Sequence, residues 1–394
     1  MNSHLRRLAG LVIALGVSGA AGFGQMYNQT TLVVNTGTAT TTDPSLVNGW
    51  GIARGSGTPW WVSDNLTGVS TLYSGSGAKL PVTVTIPAAK TGAMGSPTGV
   101  IYNGNTMTFL LPDGKSAAFI FCTVDGTISG WHSGLGTSAV IEVKTTDGSS
   151  YTGLTSTMVN GEPRLYAANF TLGTVDVYDS SFHLVARGGG HFGDHGPGEW
   201  GRSGDDDDGG YGHFFDDHLP PHYVPFNVQA IGSDIVVTYA LHFPGQMFET
   251  DGPGNGYVDI YSASGRLLQR LQHGNWLNAP WGVALAPLDF GAFSHDLLVG
   301  QFAGGGTTQS SGYIVAYDMA TGRMKGLLED ASGTPLAING IWGISFGGNV
   351  ANNYDSAGAP AAEMYFAAGP NHGAGGVFGF LTPIAADLIQ GNDQ

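Results

Sequence analysis

The sequence is poor in cysteine and in charge, and both shortages narrow the classes of protein that it can encode. Cys122 is the single cysteine among 394 residues, so no disulfide can form within the chain. It lies in the apolar run AAFIFCTVDG, which favours a buried small hydrophobe over a nucleophile. Lysine and arginine number 14 against 30 aspartates and glutamates. The net charge of −16 argues against nucleic acid or an anionic membrane as a partner.

Long apolar runs are scarce as well. The run LAGLVIALGV at residues 8–17 follows His4, Arg6 and Arg7 and precedes the small residues SGAAG. A positive start, a short apolar core and small residues at the exit are typical of a signal peptide. We therefore predict that residues 1–25 are an export signal cleaved near residue 20 or 21, with an uncleaved anchor as the alternative. The mature protein is then periplasmic or secreted, and no later stretch is apolar enough to span a membrane.

Glycine, by contrast, is abundant, with 65 residues scattered among apolar β-formers, which indicates many tight turns. Residues 278–328 show one complete unit of this pattern. A Pro-Trp-Gly turn is followed by four short apolar segments that are joined by glycine-containing turns. Four short strands in such a unit form one blade of a β-propeller.

The start of this unit recurs six times along the chain. The six segments begin at residues 48, 96, 151, 224, 278 and 339, and they align on Gly51, Gly99, Gly153, Asn227, Gly282 and Gly343. Glycine suits a strand start where backbones crowd a central axis or where φ is positive. We therefore predict an all-β, six-bladed β-propeller over residues 26–384, followed by a tail at 385–394. The last unit runs out of chain, so the N-terminal strand at 30–37 is expected to complete the last blade and close the ring.

One step between repeats is longer than the others because it contains an additional segment, residues 188–222. This segment is rich in His, Asp and Gly. We predict a surface insertion that interrupts the outer part of the third blade. Its side chains could bind a divalent metal ion through His191, His195, His213, Asp216, Asp217 and His218. The alternative is a solvated acidic loop without a metal.

Several segments resemble a known group of proteins. They include NGWGIARG, FIFCTVDGTISGW, LYAANFTLGTVDVYD and APWGVALAP. The chain is similar to NHL-type six-bladed propellers, and it more closely resembles an uncharacterised family of exported bacterial propeller proteins over about residues 30–383. This resemblance implies the fold and the export, and it implies no established activity. The insertion at 188–222 departs from the resemblance.

In such propellers, the loops that lead into the inner strands and the loops that join the second and third strands share one face. Ligands usually bind there, over the central channel. On this face the repeat places Asn48, Asp64, Asn65, Asp125, Asn169, Asn278, Gln301, Asn339 and Asn371, together with His242 and His372. Their oxygens and nitrogens could hold a divalent cation, Ca or Zn, with the two histidines as the best candidates. The alternative is that these short polar side chains cap tight turns.

No glutamate is predicted on the channel face, and the metal sets of gluconolactonase-like and peptide-amidating propellers are not reproduced. Three tryptophans, Trp50, Trp281 and Trp342, precede the inner strands and could stack on a carbohydrate. Their recurrence at one position of the repeat favours packing between blades instead.

Two functions follow from these observations. The favoured one is an exported module, expected to be a monomer, that binds a small molecule, a glycan or a protein. The other is a metal-dependent hydrolase or lyase with its site on the channel face. The sequence contains no recognisable nucleophile motif, which supports the first, and it leaves open whether the protein is an enzyme.

Overall fold

The computed structural model describes residues 26–189, 214–303, 311–347 and 362–384. The predicted signal peptide, the C-terminal tail and residues 190–213 of the insertion lie outside the described residues. In the described ranges the chain forms 27 strands and two 3₁₀ helices. Neither helix is long enough to span a membrane.

Two N-terminal strands, β1 (Tyr27–Val34) and β2 (Thr41–Thr42), precede the first repeat. The strands of the first three repeats are β3 (Gly49–Ala53), β4 (Trp60–Asp64), β5 (Val69–Tyr73), β6 (Lys79–Thr85), β7 (Pro97–Tyr102), β8 (Phe119–Thr123), β9 (Thr127–Trp131), β10 (Val140–Lys144), β11 (Tyr151–Val159), β12 (Glu162–Asn169), β13 (Thr174–Tyr178) and β14 (Leu184–Gly189). The strands of the last three repeats are β15 (Tyr223–Ile231), β16 (Asp234–Leu241), β17 (Gly256–Ser262), β18 (Leu267–Arg270), β19 (Pro280–Leu285), β20 (Leu297–Gln301), β21 (Ser311–Gly312), β22 (Ile314–Tyr317), β23 (Met324–Leu327), β24 (Ile338–Asn339), β25 (Ile341–Phe346), β26 (Met364–Ala368) and β27 (Val377–Pro383). The two helices are single turns at Ser133–Leu135 and Gly291–Phe293.

The described strands form seven sheets, of which six are arranged in a ring and pair antiparallel except for β1 with β2; the seventh is the two-stranded sheet β21-β24. Five sheets have four main strands each, in the simple order of the sequence, and the sixth has the order β2-β1-β27-β26-β25. The innermost strands β3, β7, β11, β15, β19 and β25 contact one another in turn, and β25 returns to β3. The predicted six-bladed propeller is therefore confirmed, and each inner strand begins within two residues of a segment that the repeat identifies.

The ring is closed by the N-terminal strand, as predicted. Strand β1 pairs antiparallel with β27, from Tyr27 opposite Pro383 to Val34 opposite Val377. The start of the chain thus supplies an outer strand to the sixth blade, whose other strands come from the end of the chain. Backbone hydrogen bonds across this seam replace the open sheet edge that an incomplete blade would present.

The hydrophobic core is divided among the blades. Six apolar clusters each join two neighbouring blades around the ring. Because a blade is covered on both faces, its second strand is buried throughout, as in β4 and β8, whereas the outer strand β6 is half-buried or exposed except at Val84. Cys122 is fully buried between blades 2 and 3, and burial raises the pKa of its thiol to about 12. It is a packing residue.

The repeated glycines are explained by close approach of the inner strands. A Cβ atom on Gly99 would lie 2.5 Å from the backbone nitrogen of Leu154, and one on Gly51 would lie 2.5 Å from the carbonyl oxygen of Thr98. None of the five repeated glycines has a positive φ, so crowding around the axis is the cause. At the sixth position Asn227 replaces glycine, and its Nδ2 donates a hydrogen bond to the carbonyl oxygen of Trp281 at 2.7 Å.

The insertion differs from the prediction in its place. Strand β14 is a complete outer strand that ends at Gly189, so the insertion follows the third blade and does not interrupt it. It connects β14 to β15, the inner strand of the fourth blade. Within its described part, Phe214 is buried and packs against Tyr166 and Tyr261, with ring centroids 5.8 and 5.4 Å apart. Burial of this aromatic ring anchors the returning end of the insertion between blades 3 and 4.

Candidate functional site

One end of the propeller gathers the loops in which the sequence places candidate ligands. It is the end at which the inner strands begin and the second strands finish. We call the centre of this end, over the channel, the mouth.

Aromatic side chains close the channel just below the mouth. The ring of Trp342 stacks on Trp50 at a centroid distance of 3.8 Å and on Phe302 at 3.9 Å, and Trp281 meets it edge-on at 5.9 Å. The three tryptophans are 8%, 5% and 2% exposed for Trp50, Trp281 and Trp342. Their faces are occupied by one another, so they pack together across the channel and form an aromatic floor to the mouth. This arrangement differs from packing between two neighbouring blades and leaves no ring face for a sugar.

Most of the predicted polar ring is engaged in holding loops together. The Oδ1 of Asn48 accepts a hydrogen bond from Trp342 Nε1 at 2.9 Å, and its Nδ2 donates to Asn65 Oδ1 at 3.2 Å. Asn65 Nδ2 in turn donates to the carbonyl oxygen of Pro97 in the second blade at 3.2 Å. Asn169 is fully buried, and its Nδ2 donates to Asp176 Oδ2 at 3.0 Å.

Polar side chains on the other side of the mouth also hold loops together. Asn278 Oδ1 accepts from the Gly252 backbone at 2.8 Å, while its own backbone nitrogen donates to Gln301 Oε1 at 2.8 Å. Asn339 Oδ1 accepts from the Asn371 backbone nitrogen at 3.2 Å, which links the loop that leads into β25 to the loop after β26. In the second blade, Asp125 Oδ2 accepts from the Ala89 backbone nitrogen at 2.7 Å. These side chains cap and connect turns, the alternative that the sequence leaves open.

Asp64 is the exception among the predicted acids. It is fully buried, and neither carboxylate oxygen has a hydrogen-bond partner. Burial raises the pKa of Asp64 well above its ordinary value, and Thr71 beside it only partly offsets the rise. The group is therefore an enclosed carboxyl whose charged form is disfavoured, and it does not reach a ligand at the mouth.

The two predicted histidines differ in their surroundings. His242 is 5% exposed and packs against Phe170 at a centroid distance of 4.4 Å. Its Nε2 donates a hydrogen bond to the carbonyl oxygen of Gln246 at 3.0 Å, and its buried Nδ1 has no hydrogen-bond partner. His372 is exposed and has a φ of 57°, directly after Asn371 with a φ of 58°. Two consecutive non-glycine residues in the left-handed region are unusual and place local strain at the mouth.

Two carboxylates that the sequence analysis did not identify join His372 at the mouth. Both lie in the 242–255 loop between β16 and β17 of the fourth blade. Burial raises the pKa of Glu249 to about 7, and the charge of Asp251 adds to the rise. Burial also raises the pKa of Asp251, and His372 from the sixth blade partly offsets this. The expectation that no glutamate lies on this face is wrong, because the repeat identifies only strand ends and the loop extends well beyond them.

The 242–255 loop is fixed at its base and exposed at its tip. The backbone nitrogen of Thr250 donates to the carbonyl oxygen of Leu241 at 2.7 Å, and Gly252 is held by Asn278. Three apolar side chains project between these points, Phe243, Met247 and Phe248, at 40%, 81% and 69% exposure. The unusual length of this connection is the signal in the sequence that could have identified it.

The insertion brings one cluster of possible metal ligands together. Ligand atoms of Asp216, Asp217 and His218 all lie within 4.8 Å of one another. Arg270 from β18 occupies this cluster: its Nε lies 2.5 Å and its Nη2 still closer to the Asp216 carboxylate, and Nη2 lies 3.2 Å from Asp217. The guanidinium supplies the positive charge that a cation would otherwise bring, and it holds the pKa of Asp216 low against the effect of burial. His191, His195 and His213 lie outside the described residues.

Comparison with solved structures shows the same kind of fold without close sequence similarity. A protein of unknown function from Bacteroides thetaiotaomicron has a TM-score of 0.50 and 11% identity, covering 91% of this chain and 76% of that chain. Virginiamycin B lyase from Staphylococcus aureus has a TM-score of 0.46 and 10% identity, covering 91% of this chain and all of the other. At such identities the likeness concerns the fold alone.

Comparison by sequence gives relatives from Acanthamoeba polyphaga mimivirus, and no model of a known protein family matches. The uncharacterized protein R640 is 29% identical over 253 residues, which is 63% of this chain and 42% of R640, so the chain spans less than half of that relative. The uncharacterized protein R648 is 30% identical over 336 residues, covering 82% of this chain and 76% of R648. These relatives are viral, so membership of an exported bacterial family stays a prediction. The chain belongs to the family of the uncharacterized mimivirus protein R648, as a six-bladed β-propeller.

Proposed function

We propose that this protein is an exported, NHL-like binding propeller, periplasmic or secreted, that takes a ligand or protein partner at the mouth. The observation that carries the proposal is the 242–255 loop, which holds Met247 and Phe248 out into solvent from a hydrogen-bonded base. Exposed methionine and phenylalanine side chains in one cluster are typical of interaction sites.

The remainder of the mouth supports binding at its rim. The aromatic floor is packed, and the asparagines and Gln301 around it form hydrogen bonds between loops. These contacts stiffen the surface from which the 242–255 loop projects. Because the loop is already ordered, the propeller loses little conformational entropy when a partner binds to it.

The test is to incubate the labelled protein with immobilised glycans and peptides and compare two variants. We expect Met247→Ser/Phe248→Ser to lose the array members that the wild type retains. The matched control is Met107→Ser/Leu288→Ser, which removes side chains of 79% and 76% exposure from the opposite end of the propeller. Equal loss in the control, or no retention by the wild type, would overturn the proposal.

A second candidate is a metal-dependent hydrolase or lyase, and a different observation favours it. Glu249 has a pKa of about 7 and lies in the same loop as Asp251, which His372 stabilises electrostatically. A carboxyl group that titrates near neutral pH can act as a general acid or base. Among the described residues, the ligand atoms of these three side chains do not all come within 4.8 Å of one another, so a divalent ion such as Ca or Zn would have to draw them together.

Elemental mass spectrometry of the purified protein tests this candidate. We compare the wild type, a variant without residues 191–212, and Glu249→Gln/His372→Ala. Stoichiometric metal that survives the deletion and disappears in the double variant would support a mouth metal site. Metal that is lost with the insertion, or no metal in any form, would contradict it.

A further inference from the structure

We propose that the occupant of the mouth is a polypeptide segment that combines positive charge with apolar side chains, docked along the 242–255 loop. The inference rests on the proposed function and adds the chemistry of the partner. Charge complementarity and the exposed side chains of the loop carry it.

The charge of the mouth is one-sided. Glu249 and Asp251 lie on the loop, and the described residues of 242–255, 271–279, 302–303 and 369–376 contain no lysine or arginine. Among the described residues, the cationic side chains on this end include Lys90 and Lys144 on the first and second blades, and Arg187 on the third, which pairs with Asp147 and Asp176. The half of the mouth formed by blades 4 to 6 therefore attracts a positive group and repels a negative one.

The carboxylates also have a physical reason to accept a counter-charge. Glu249 is half-buried, and burial makes its ionisation costly, whereas Asp251 is exposed. A lysine or arginine from a partner would stabilise both charged carboxylates. The contact with Glu249 forms in a half-buried position, where it is worth more than an ion pair on an open surface.

The apolar part of the surface determines the size of the partner. Phe243, Met247 and Phe248 extend from the loop at 40% to 81% exposure, beside the carboxylates in sequence. Below them the channel is filled by the stacked rings of Trp50, Trp342 and Phe302. A small ligand would find a closed floor, whereas an extended peptide can cover the loop tip and reach the carboxylates together.

Fluorescence anisotropy with a labelled peptide of alternating lysine and leucine tests the inference. Parallel peptides replace every lysine by glutamate or every leucine by serine. We expect the lysine-leucine peptide to bind the wild type most tightly. Glu249→Gln/Asp251→Asn should weaken it about tenfold, as expected for loss of one half-buried and one exposed charge contact. Met247→Ser/Phe248→Ser should weaken it to a similar extent.

A control is needed because the whole protein is acidic. Glu162→Gln/Asp234→Asn removes the same charge from turns at the opposite end of the propeller. An equal loss of affinity in this control would mean non-specific attraction and would overturn the inference. Tight binding of the glutamate peptide that depends on Met247 and Phe248 would overturn it too, yet would leave the proposed function standing. A third outcome is that none of the three peptides binds, while the arrays retain glycans or other peptides through Met247 and Phe248. This outcome would also overturn the inference and leave the proposed function standing.

Discussion

At the scale of single residues, two buried aspartates in different blades have different surroundings. Asp176 in the third blade is fully buried and accepts hydrogen bonds from Arg187 Nε at 2.9 Å and from Tyr151 Oη at 2.9 Å. Asp64 in the first blade is equally buried and has no partner, while nearby Lys79 pairs with Asp43 at 2.7 Å. Asp176 has a positive partner, whereas Asp64 has none and burial disfavours its charged form, so we expect opposite effects from their substitution.

We expect Asp64→Asn to stabilise the protein at neutral pH. The pKa of Asp64 is raised by burial, so the folded protein keeps a proton that the unfolded chain releases near pH 4. The free energy of unfolding therefore falls as the pH rises above about 4, until the folded group itself ionises. Asparagine removes this loss and should raise the free energy of unfolding at pH 7 by about 1–3 kcal/mol.

Urea unfolding between about pH 4.5 and 8 measures this effect. The control is Asp330→Asn, because Asp330 is a turn residue whose pKa is lowered by hydrogen bonds from Ser332 and Thr334. Its substitution should leave unchanged the decrease of the free energy of unfolding with rising pH that the wild type shows. A variant at Asp64 that is less stable than the wild type at pH 7 would contradict the prediction.

We expect the opposite result at Arg187. Its substitution by methionine leaves Asp176 buried without a positive partner and should lower the free energy of unfolding by about 3–5 kcal/mol. The double variant Arg187→Met/Asp176→Asn should recover a large part of this loss, because no charge then remains to be compensated. Urea unfolding of the two variants gives the comparison. A double variant as unstable as the single one would show that packing of the arginine side chain, and not its charge, is what matters.

At the scale of the element, the inner strands depend on the absence of side chains at one position. We expect Gly99→Ala to lower the free energy of unfolding by about 1–3 kcal/mol, because its Cβ would lie 2.5 Å from the backbone nitrogen of Leu154 and 2.8 Å from its Cβ. The matched control is Gly57→Ala, where no atom lies within 4 Å of the added Cβ and φ is not positive. Thermal unfolding that shows equal stability for the two variants would argue against crowding at the channel.

At the scale of the whole molecule, the ring depends on a strand from the far end of the chain. We expect a chain that begins at Met26 to fold as the mature protein does, and a chain that begins at Thr38 to aggregate or unfold. The second lacks β1, whose register with β27 closes the ring, and Tyr27, whose ring packs on Phe290 of the fifth blade at 4.7 Å. Removing the strand exposes the edge of β27 and a buried seam between blades.

Size-exclusion chromatography and thermal unfolding of the two chains measure this dependence. A monodisperse product with an unchanged melting temperature for the shorter chain would show that the first strand is not needed for closure.

The repeat was readable from the sequence because it depends on local chemistry. Turn residues and short apolar segments recur wherever an inner strand begins, and the crowding at Gly51, Gly99 and Gly343 favours glycine at this position in five of the six repeats. From these signals the number of blades, the positions of the inner strands and the closure by β1 follow without any tertiary information.

The site depended on contacts between blades, which no local pattern encodes. Sequence alone placed Asn48, Asn278 and Gln301 on the channel face, but only the structure showed that their polar atoms bond to neighbouring loops. It alone brought Asp251 of the fourth blade within electrostatic range of His372 of the sixth. The local sequence determined the strands and the ring, whereas the packing of loops from different blades decided which side chains can meet a ligand.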